Sequence, residues 1–199
     1  MESAADRAPA AAPGAEAAVA APVPEGSVLV VGGGTMGAGI AQALVQAGVS
    51  VRLSEADQGS AAAARDRVAA GLARAGHPEA EDLLVLAVGM GAGSEAGTAD
   101  VGLRADVTLA IEAVPEDLAL KRQVLEAIER AVPDQAVIAS NTSSLSVGVM
   151  GEGLRHPERF LGMHFFNPVV RSALVEVVTS PVTRDEVVDR ARAWVRALG

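Results

Sequence analysis

Short, continuous apolar runs alternate along the chain with longer segments whose apolar residues recur at helical spacing. A run such as Val28-Leu29-Val30-Val31 is typical of a strand buried on both faces of a parallel sheet. The pattern predicts strands at 28–31, 49–55, 107–114, 136–140, 160–166 and 174–178, and helices at 36–47, 58–75, 118–131 and 184–198. The stretch 79–88 favours a short helix or a strand, and the glycine-rich stretch 89–102 predicts a mobile loop. Alternating strands and helices predict an α/β fold.

A glycine-rich turn follows the first predicted strand, in the run Gly32-Gly33-Gly34-Thr35-Met36-Gly37. Gly32, Gly34 and Gly37 match the G-x-G-x-x-G pattern of dinucleotide-binding turns. Gly32 permits a tight turn, Gly34 lets a pyrophosphate approach the backbone, and Gly37 lets the next helix pack close to the strand. The helix that begins near Thr35 and Met36 would direct its first N–H groups at the cofactor phosphates. The turn therefore predicts a Rossmann-like, doubly wound and mostly parallel sheet.

The second predicted strand ends in Glu55, which lies 21 positions after Gly34. This is close to the spacing of about 20 residues expected for the acid that binds the ribose hydroxyls of a dinucleotide. A carboxylate at this position repels a 2′-phosphate, so NAD is favoured over NADP. A solvated glutamate at a strand end is common by itself, but the order strand, glycines, helix, strand and acid favours the cofactor interpretation.

The run His164-Phe165-Phe166-Asn167-Pro168 contains two of the four aromatic rings of the chain. Ser143 lies 21 residues before His164, and Glu176 lies 12 residues after it. A histidine exchanges protons near neutral pH, a serine can bind a substrate oxygen, and a carboxylate can hold an imidazole in one tautomer. A buried histidine bonded to a backbone carbonyl is the usual alternative for a lone histidine. These three residues together predict an acid–base site.

Composition excludes several kinds of protein. The chain has 199 residues, a formal net charge of −9 and no cysteine. The acidic balance argues against a nucleic-acid partner, and the absence of cysteine excludes disulfides and thiolate chemistry. The three histidines lack metal-ligand spacing, so no metal site is predicted. No apolar run reaches the roughly 18 residues of a membrane span.

Residues 1–26 differ in composition from the rest, with eleven alanines and four prolines. This segment predicts a disordered tail, followed by one domain over 27–199. Acidic residues stand where a targeting peptide would be cationic, so the expected location is the cytoplasm.

Four motifs in fitting order resemble those of short-chain L-3-hydroxyacyl-CoA dehydrogenases, in their N-terminal NAD-binding domain. They are the glycine turn and the runs Ile111–Lys121, Ser140–Leu145 and His164–Pro168. The resemblance covers about residues 28–199, except 58–104.

This resemblance implies a role for each matching residue. His164 resembles the base that takes the 3-hydroxyl proton while C3 delivers hydride to the nicotinamide of NAD. Glu176 resembles the carboxylate paired with that histidine, and Ser143 resembles the hydroxyl that binds substrate beside the cofactor. Glu116 and Lys121 match cofactor-contacting positions, although a solvated helix lysine is an equally common interpretation of Lys121.

The chain also departs from the family pattern. We expect the family's helical second domain to be absent. The lysine that holds the CoA phosphate in the family has no match in the stretch 58–104, where only arginines are available. Three functions therefore stay open: a hydroxyacyl-CoA dehydrogenase, a dehydrogenase of hydroxyacyl groups on an acyl carrier protein, and a non-catalytic NAD-binding remnant. The expected partners are an acyl-CoA or an acyl-carrier-protein substrate, and either a separate helical chain or a second copy. No nucleic acid or membrane is expected.

Overall fold

The computed structural model describes residues 22–90 and 106–198. Most of the predicted tail over 1–26 and of the predicted loop over 89–102 therefore lies outside the described residues. The strands of the described part are β1 (Ser27–Val31), β2 (Val51–Glu55), β3 (Leu84–Val88), β4 (Val107–Glu112), β5 (Val137–Ser140), β6 (Phe160–Phe165) and β7 (Val175–Val178).

These strands form one sheet in the order β3-β2-β1-β4-β5-β6-β7. The order reverses direction between β1 and β4, and every pair is parallel except β6 with β7. The topology confirms the predicted doubly wound, mostly parallel sheet. In such sheets, ligands bind outside the carboxyl ends of the strands, where the order reverses.

Helices cover both faces of the sheet. One face carries α1 (Thr35–Gln46), α2 (Gln58–Ala75) and α5 (Asp185–Ala197), and the other carries α3 (Leu118–Ala131) and the short α4 (Val147–Gly151). Alternate residues of β1 serve the two layers, because successive side chains of a strand point to opposite faces. Val28 and Val30 pack under α1, α2 and α5, while Leu29 and Val31 pack under α3 and α4. This two-sided burial explains the continuous apolar run.

Local capping fixes where the longer helices begin and end. The Asp57 side chain accepts the N–H of Ser60 at the start of α2, and Gly76 ends that helix with φ +81°. The Asp117 side chain accepts the N–H of Leu120 in the same way at the start of α3. The predicted bounds 58–75 and 118–131 agree with the observed ones.

Some predicted bounds differ from the observed ones. β2 begins at Val51 instead of 49, because the Val49 N–H bonds the Leu44 carbonyl at the end of α1. β4 ends at Glu112, because the Val114 N–H turns inward to the Glu112 carboxylate. The stretch 79–88 divides into a 3₁₀ turn at Pro78–Leu83 followed by β3. The pattern did not predict α4 or the 3₁₀ turns Pro157–Arg159 and Val169–Arg171, because elements this short show no periodicity.

Candidate active site

The predicted site residues meet where the carboxyl ends of the parallel strands lie side by side. The glycine turn follows β1, Glu55 ends β2, and Glu116 and Ser143 follow β4 and β5. His164 lies one residue before the end of β6. These five strands run parallel, so their carboxyl ends meet at the same edge. The fold therefore brings together residues that are far apart in sequence.

The glycine turn has the geometry that its sequence predicts. Gly32 has φ +95°, which favours glycine. A Cβ on Gly37 would lie 1.7 Å from the Gly32 carbonyl oxygen, so only glycine allows α1 to pack this close to β1. A Cβ on Gly34 would meet no atom within 4 Å. The backbone at Gly34 is thus open to an approaching ligand.

The first turn of α1 is suited to an anion. It contains no acidic residue, and the Gly34 N-cap has no side chain to occupy the free N–H groups. The dipole of this twelve-residue helix adds positive potential at the same point. The residues present therefore fit the pyrophosphate of a dinucleotide.

Glu55 lies beside the glycine turn. Its Oε1 accepts the N–H of Gly33 at 2.6 Å, and the residue is half-buried. This contact fixes the carboxylate at the carboxyl end of β2, where the ribose of a dinucleotide binds in this kind of fold. The second oxygen stays available for a hydroxyl group.

A buried ion pair lies behind the site. Lys121 is 1 % exposed, and its Nζ donates to both oxygens of the fully buried Glu112, at 2.9 and 3.1 Å. The Ser140 hydroxyl and the Val114 N–H also donate to Glu112, at 2.6 and 2.7 Å. Burial raises the pKa of Glu112, and these donors oppose that shift. Lys121 is therefore not a solvated helix lysine, which corrects one of the two sequence interpretations.

Glu116 connects this ion pair to the loop after β5. Its Oε2 lies 3.2 Å from Lys121 Nζ, and its Oε1 accepts the Thr142 hydroxyl at 2.6 Å. The same oxygen accepts the N–H groups of Ser143 and Ser144 at 3.1 and 3.2 Å. Partial burial would raise the pKa of Glu116, but the Thr142 bond and the Lys121 charge outweigh it and lower the pKa to about 2. The Glu116 carboxylate therefore holds the loop that contains Ser143 and Ser144 in place.

His164 and Glu176 form a cross-strand pair. They are register partners in the antiparallel ladder of β6 and β7, so their side chains lie on the same face. His164 Nδ1 lies 2.8 Å from Glu176 Oε2. A carboxylate only accepts hydrogen bonds, so Nδ1 carries the hydrogen and Nε2 is left as the acceptor. The imidazole side chain is 19 % exposed, and the Glu176 side chain is 52 % exposed.

A cavity of about 380 Å³ joins these groups, and its lining includes Met36, Glu116, Asn141, Ser143, His164 and Phe166. The ring centroids of Phe166 and His164 lie 4.4 Å apart. Asn141 Oδ1 accepts the Phe165 N–H at 2.9 Å, so Asn141 shapes the loop. The cavity therefore places a hydroxyl and an imidazole beside the glycine turn.

A model of the family described as 3-hydroxyacyl-CoA dehydrogenase, NAD binding domain, matches residues 27–199. The chain belongs to this family. The resemblance predicted from four motifs is thereby confirmed. A 3-hydroxybutyryl-CoA dehydrogenase of Mycobacterium tuberculosis is 38% identical over 166 residues, which cover 83% of this chain and 57% of the relative. The fatty acid oxidation complex subunit alpha of Idiomarina loihiensis is 42% identical over 94 residues, or 47% of this chain and 13% of that protein.

Solved structures agree with this membership of the 3-hydroxyacyl-CoA dehydrogenase family. The structure of FadB2 from M. tuberculosis superposes with a TM-score of 0.75 at 34% identity, covering 87% of this chain and 61% of FadB2. The 3-hydroxybutyryl-CoA dehydrogenase of Escherichia coli gives a TM-score of 0.77 at 30% identity, with 89% of this chain and 37% of that chain covered. This family member thus spans about three fifths or less of the relatives it matches here.

Two residues of this family member near the site have contacts that its sequence does not predict. The pattern predicts Glu112 only as part of a strand. Its buried partner is the sole lysine of the chain, nine residues later, and that rarity is the one sequence signal of the pair. The helical pattern over 58–75 predicts no contact for Arg67, yet its Nη1 donates to the Gly33 carbonyl at 3.2 Å. Helical periodicity assigns a face, but it does not show how far a long side chain reaches along the helix.

The described part of the chain contains neither a metal-binding group of side chains nor a membrane-spanning helix. Residues 22–90 and 106–198 contain no group of three or more His, Cys, Asp or Glu residues that could hold a metal ion. No helix within the same ranges is long and apolar enough to cross a membrane.

Proposed function

We propose that this chain binds NAD and oxidises the 3-hydroxyl of a 3-hydroxyacyl-CoA to a 3-ketoacyl-CoA. The observation that carries the proposal is the His164–Glu176 pair at 2.8 Å, whose histidine lines a cavity beside an open glycine turn. The relatives that are named 3-hydroxybutyryl-CoA dehydrogenases support the same reaction.

The residues that would hold NAD surround the glycine turn. The backbone of Gly32–Gly37, including Thr35 and Met36, and the first N–H groups of α1 bind the pyrophosphate. Glu55 binds the adenine ribose through the oxygen that Gly33 leaves free. Glu116 borders the cavity, while the donors of Lys121 are directed to Glu112, Val114 and Glu116. A direct contact of Lys121 with NAD remains a prediction, and the geometry favours an action through Glu116.

His164 acts as the general base. Its Nε2 accepts the proton of the 3-hydroxyl, so the C3–O bond gains double-bond character as hydride leaves C3. Bound NAD supplies the acceptor for that hydride. Glu176 faces the imidazolium that forms and stabilises its charge, while the Nδ1 hydrogen bond keeps Nε2 directed at the substrate. His164 thus takes the proton at Nε2, while Glu176 acts on the ring at Nδ1.

Ser143 positions the reacting oxygen. Glu116 holds its backbone N–H, so the side-chain hydroxyl borders the cavity that His164 also lines. A hydroxyl can donate a hydrogen bond to the substrate oxygen, whether that oxygen belongs to the 3-hydroxyl or to the 3-keto group. Ser143 therefore fits a substrate-binding role in both directions of the reaction.

The thioester carrier is proposed to be CoA. A groove of about 520 Å³ lies between α1, α2 and the loop after β6, with Arg67 and Arg74 among its lining residues. Asn167 and Pro168 line it too, three and four residues beyond His164. Arg74 suits a phosphate group of CoA there, in place of the lysine that the family uses.

The proposal extends to compartment and partners. NAD and acyl-CoA are charged molecules that do not cross membranes, so the proposed location is the cytoplasm. The net charge of −9 disfavours nucleic acid as a partner. A separate helical chain or a second copy is the proposed protein partner.

The test is NADH formation by the full chain from 3-hydroxybutyryl-CoA, repeated with the same acyl group on a carrier protein. We expect turnover of the CoA thioester that depends on His164. Faster turnover of the carrier-protein thioester would favour the biosynthetic alternative. NAD binding without turnover of either thioester, alone or with a helical partner, would favour the non-catalytic alternative.

A further inference from the structure

Arg67 and Glu55 contact the same residue of the glycine turn from two different elements. Glu55, at the end of β2, accepts the Gly33 N–H at 2.6 Å, and Arg67, in α2, donates to the Gly33 carbonyl at 3.2 Å. We infer that Arg67 is a specificity residue of the adenosine ribose site. Its guanidinium binds a 2′-phosphate once the negative charge of Glu55 is removed. This inference rests on the proposed function, because it assumes that a dinucleotide binds at the glycine turn.

The packing of α2 explains why Arg67 reaches this position. Ala64, one helical turn earlier, lies directly against the glycine turn, since a Cβ on Gly33 would be 2.2 Å from the Ala64 Cβ. Residues three apart lie on the same face of a helix. Ala64 therefore forms the base of the contact, and Arg67 lies at its exposed rim.

Gly33 links the two charged residues. The amide nitrogen and the carbonyl oxygen of one residue lie about 3 Å apart. The carboxylate and the guanidinium bond to these two atoms at 2.6 and 3.2 Å, so both groups lie beside Gly33. A 2′-phosphate is attached to the carbon that carries the hydroxyl expected at Glu55, so it would lie between the two groups.

Within residues 22–90 and 106–198, Arg67 forms no ion pair, in contrast to two other arginines. Arg52 and Arg65 form ion pairs with Asp106 and Glu81 at 3.1 and 2.7 Å. The described partner of Arg67 is a neutral carbonyl, which uses one of the five guanidinium donors. The remaining donors can form a bidentate contact with a phosphate.

The charges of the two residues predict opposite effects on NAD and NADP. With Glu55 present, repulsion of a 2′-phosphate outweighs the attraction of Arg67, because the carboxylate is half-buried and the guanidinium is exposed. With Glu55→Gln, the Gly33 contact and the ribose hydrogen bond are kept, but the repulsion is lost. Arg67 then decides whether NADP binds.

The experiment titrates the full chain with NADH and NADPH, followed by cofactor fluorescence. Four proteins are compared: wild type, Glu55→Gln, Arg67→Gln and the double variant. We expect Glu55→Gln to bind NADPH about tenfold more tightly than wild type, and Arg67→Gln to reverse that gain about tenfold in the double variant. NADH affinity should differ little between Glu55→Gln and the double variant. Arg65→Gln is the matched control and should leave both affinities unchanged.

Three outcomes would overturn the inference. NADPH affinity that is equal in Glu55→Gln and the double variant would remove any role for Arg67. An equal loss of NADH and NADPH affinity would leave Arg67 only a structural role at Gly33. In a parallel titration with acyl-CoA, a loss in Arg67→Gln that is confined to acyl-CoA affinity would assign Arg67 to the substrate groove. Wild-type chain that binds no NADH would overturn the proposed function and this inference together, whereas the other outcomes leave the proposed function intact.

Discussion

At the residue scale, the central feature is an imidazole with one nitrogen held by a carboxylate and the other left to accept a proton. Replacing His164 by Gln keeps the approximate size of the side chain but removes the base. We expect turnover to fall by roughly 10²–10⁴, the usual range for loss of a general base, while NADH affinity is unchanged. Steady-state kinetics and a NADH titration measure the two quantities separately.

A matched control for this variant is His156→Gln. His156 lies 3.3 Å from Glu158, so it is also a histidine with an acidic partner, but it precedes the amino end of β6. Its replacement should leave turnover unchanged. Equal turnover of His164→Gln and wild type would refute His164 as the base.

Replacement of Glu176 by Gln tests the orienting role. The hydrogen bond to Nδ1 can still form, but the imidazolium loses its opposite charge. A hydrogen bond to a charged group contributes about 1.5–3 kcal/mol, so turnover should fall about tenfold to hundredfold. The change should appear in kcat more than in the KM of the substrate. A purely structural role would instead raise KM or lower stability with kcat unchanged.

The carboxylate of Glu116 gives a pH prediction. Its pKa is lowered to about 2, so its contribution to folding is complete above the ordinary value of 4.5 and is lost as the pH falls toward 2. Wild type should therefore unfold at higher temperature than Glu116→Gln at pH 6, and this difference should shrink at pH 3. Melting curves of both proteins at the two pH values provide the test. A constant difference would contradict the assignment of the shift to the folded state.

At the scale of elements, the glycine turn separates a binding position from a folding position. A Gly34→Val side chain would enter open space, where the pyrophosphate is proposed to lie. We expect NAD affinity to fall at least about tenfold with little change in stability. Calorimetric titration with NAD and a melting curve give the two readouts. Unchanged NAD affinity would remove the turn from the cofactor site.

Gly37→Ala should behave in the opposite way. Its Cβ would overlap the Gly32 carbonyl, which lies 1.7 Å away. Overpacking of this kind costs about 1–3 kcal/mol or more, so urea denaturation should show a clear loss of stability. Wild-type stability in this variant would mean that α1 does not need its close approach to β1.

The sequence predicted these elements well where burial imposes a regular pattern. The apolar run of β1 and the caps of α2 and α3 are local signals. The predicted strand ends place the glycine turn, Ser143 and His164 at the carboxyl ends of the parallel strands. The association of His164 with Glu176 was predicted from their chemistry and from the family resemblance, because periodicity does not give the register of an antiparallel ladder. Periodicity could not predict the Glu112–Lys121 pair, because it does not show which strand residue a helix residue will contact after folding.

At the scale of the whole molecule, the sheet has an edge strand that contains one member of the His164–Glu176 pair. Within the described residues, β7 pairs only with β6, so its other edge has no strand partner. Leu174 and Val178, just before and at the end of β7, are 55 % and 44 % exposed. An unpaired edge beside exposed apolar side chains favours association with another chain.

We therefore expect the purified chain to associate in a concentration-dependent way. Lysine is a common means of blocking an edge strand, so Leu174→Lys with Val178→Lys should shift the chain toward monomer in light scattering. The matched control is Val85→Lys in β3, which is 51 % exposed at the opposite edge of the sheet and should leave association unchanged. A wild-type chain that stays monomeric at all concentrations would refute the edge as an interface. If the double variant associates as wild type does, the contact lies elsewhere. Because Glu176 belongs to the same strand, association through β7 should also change how exposed the carboxylate of the His164–Glu176 pair is.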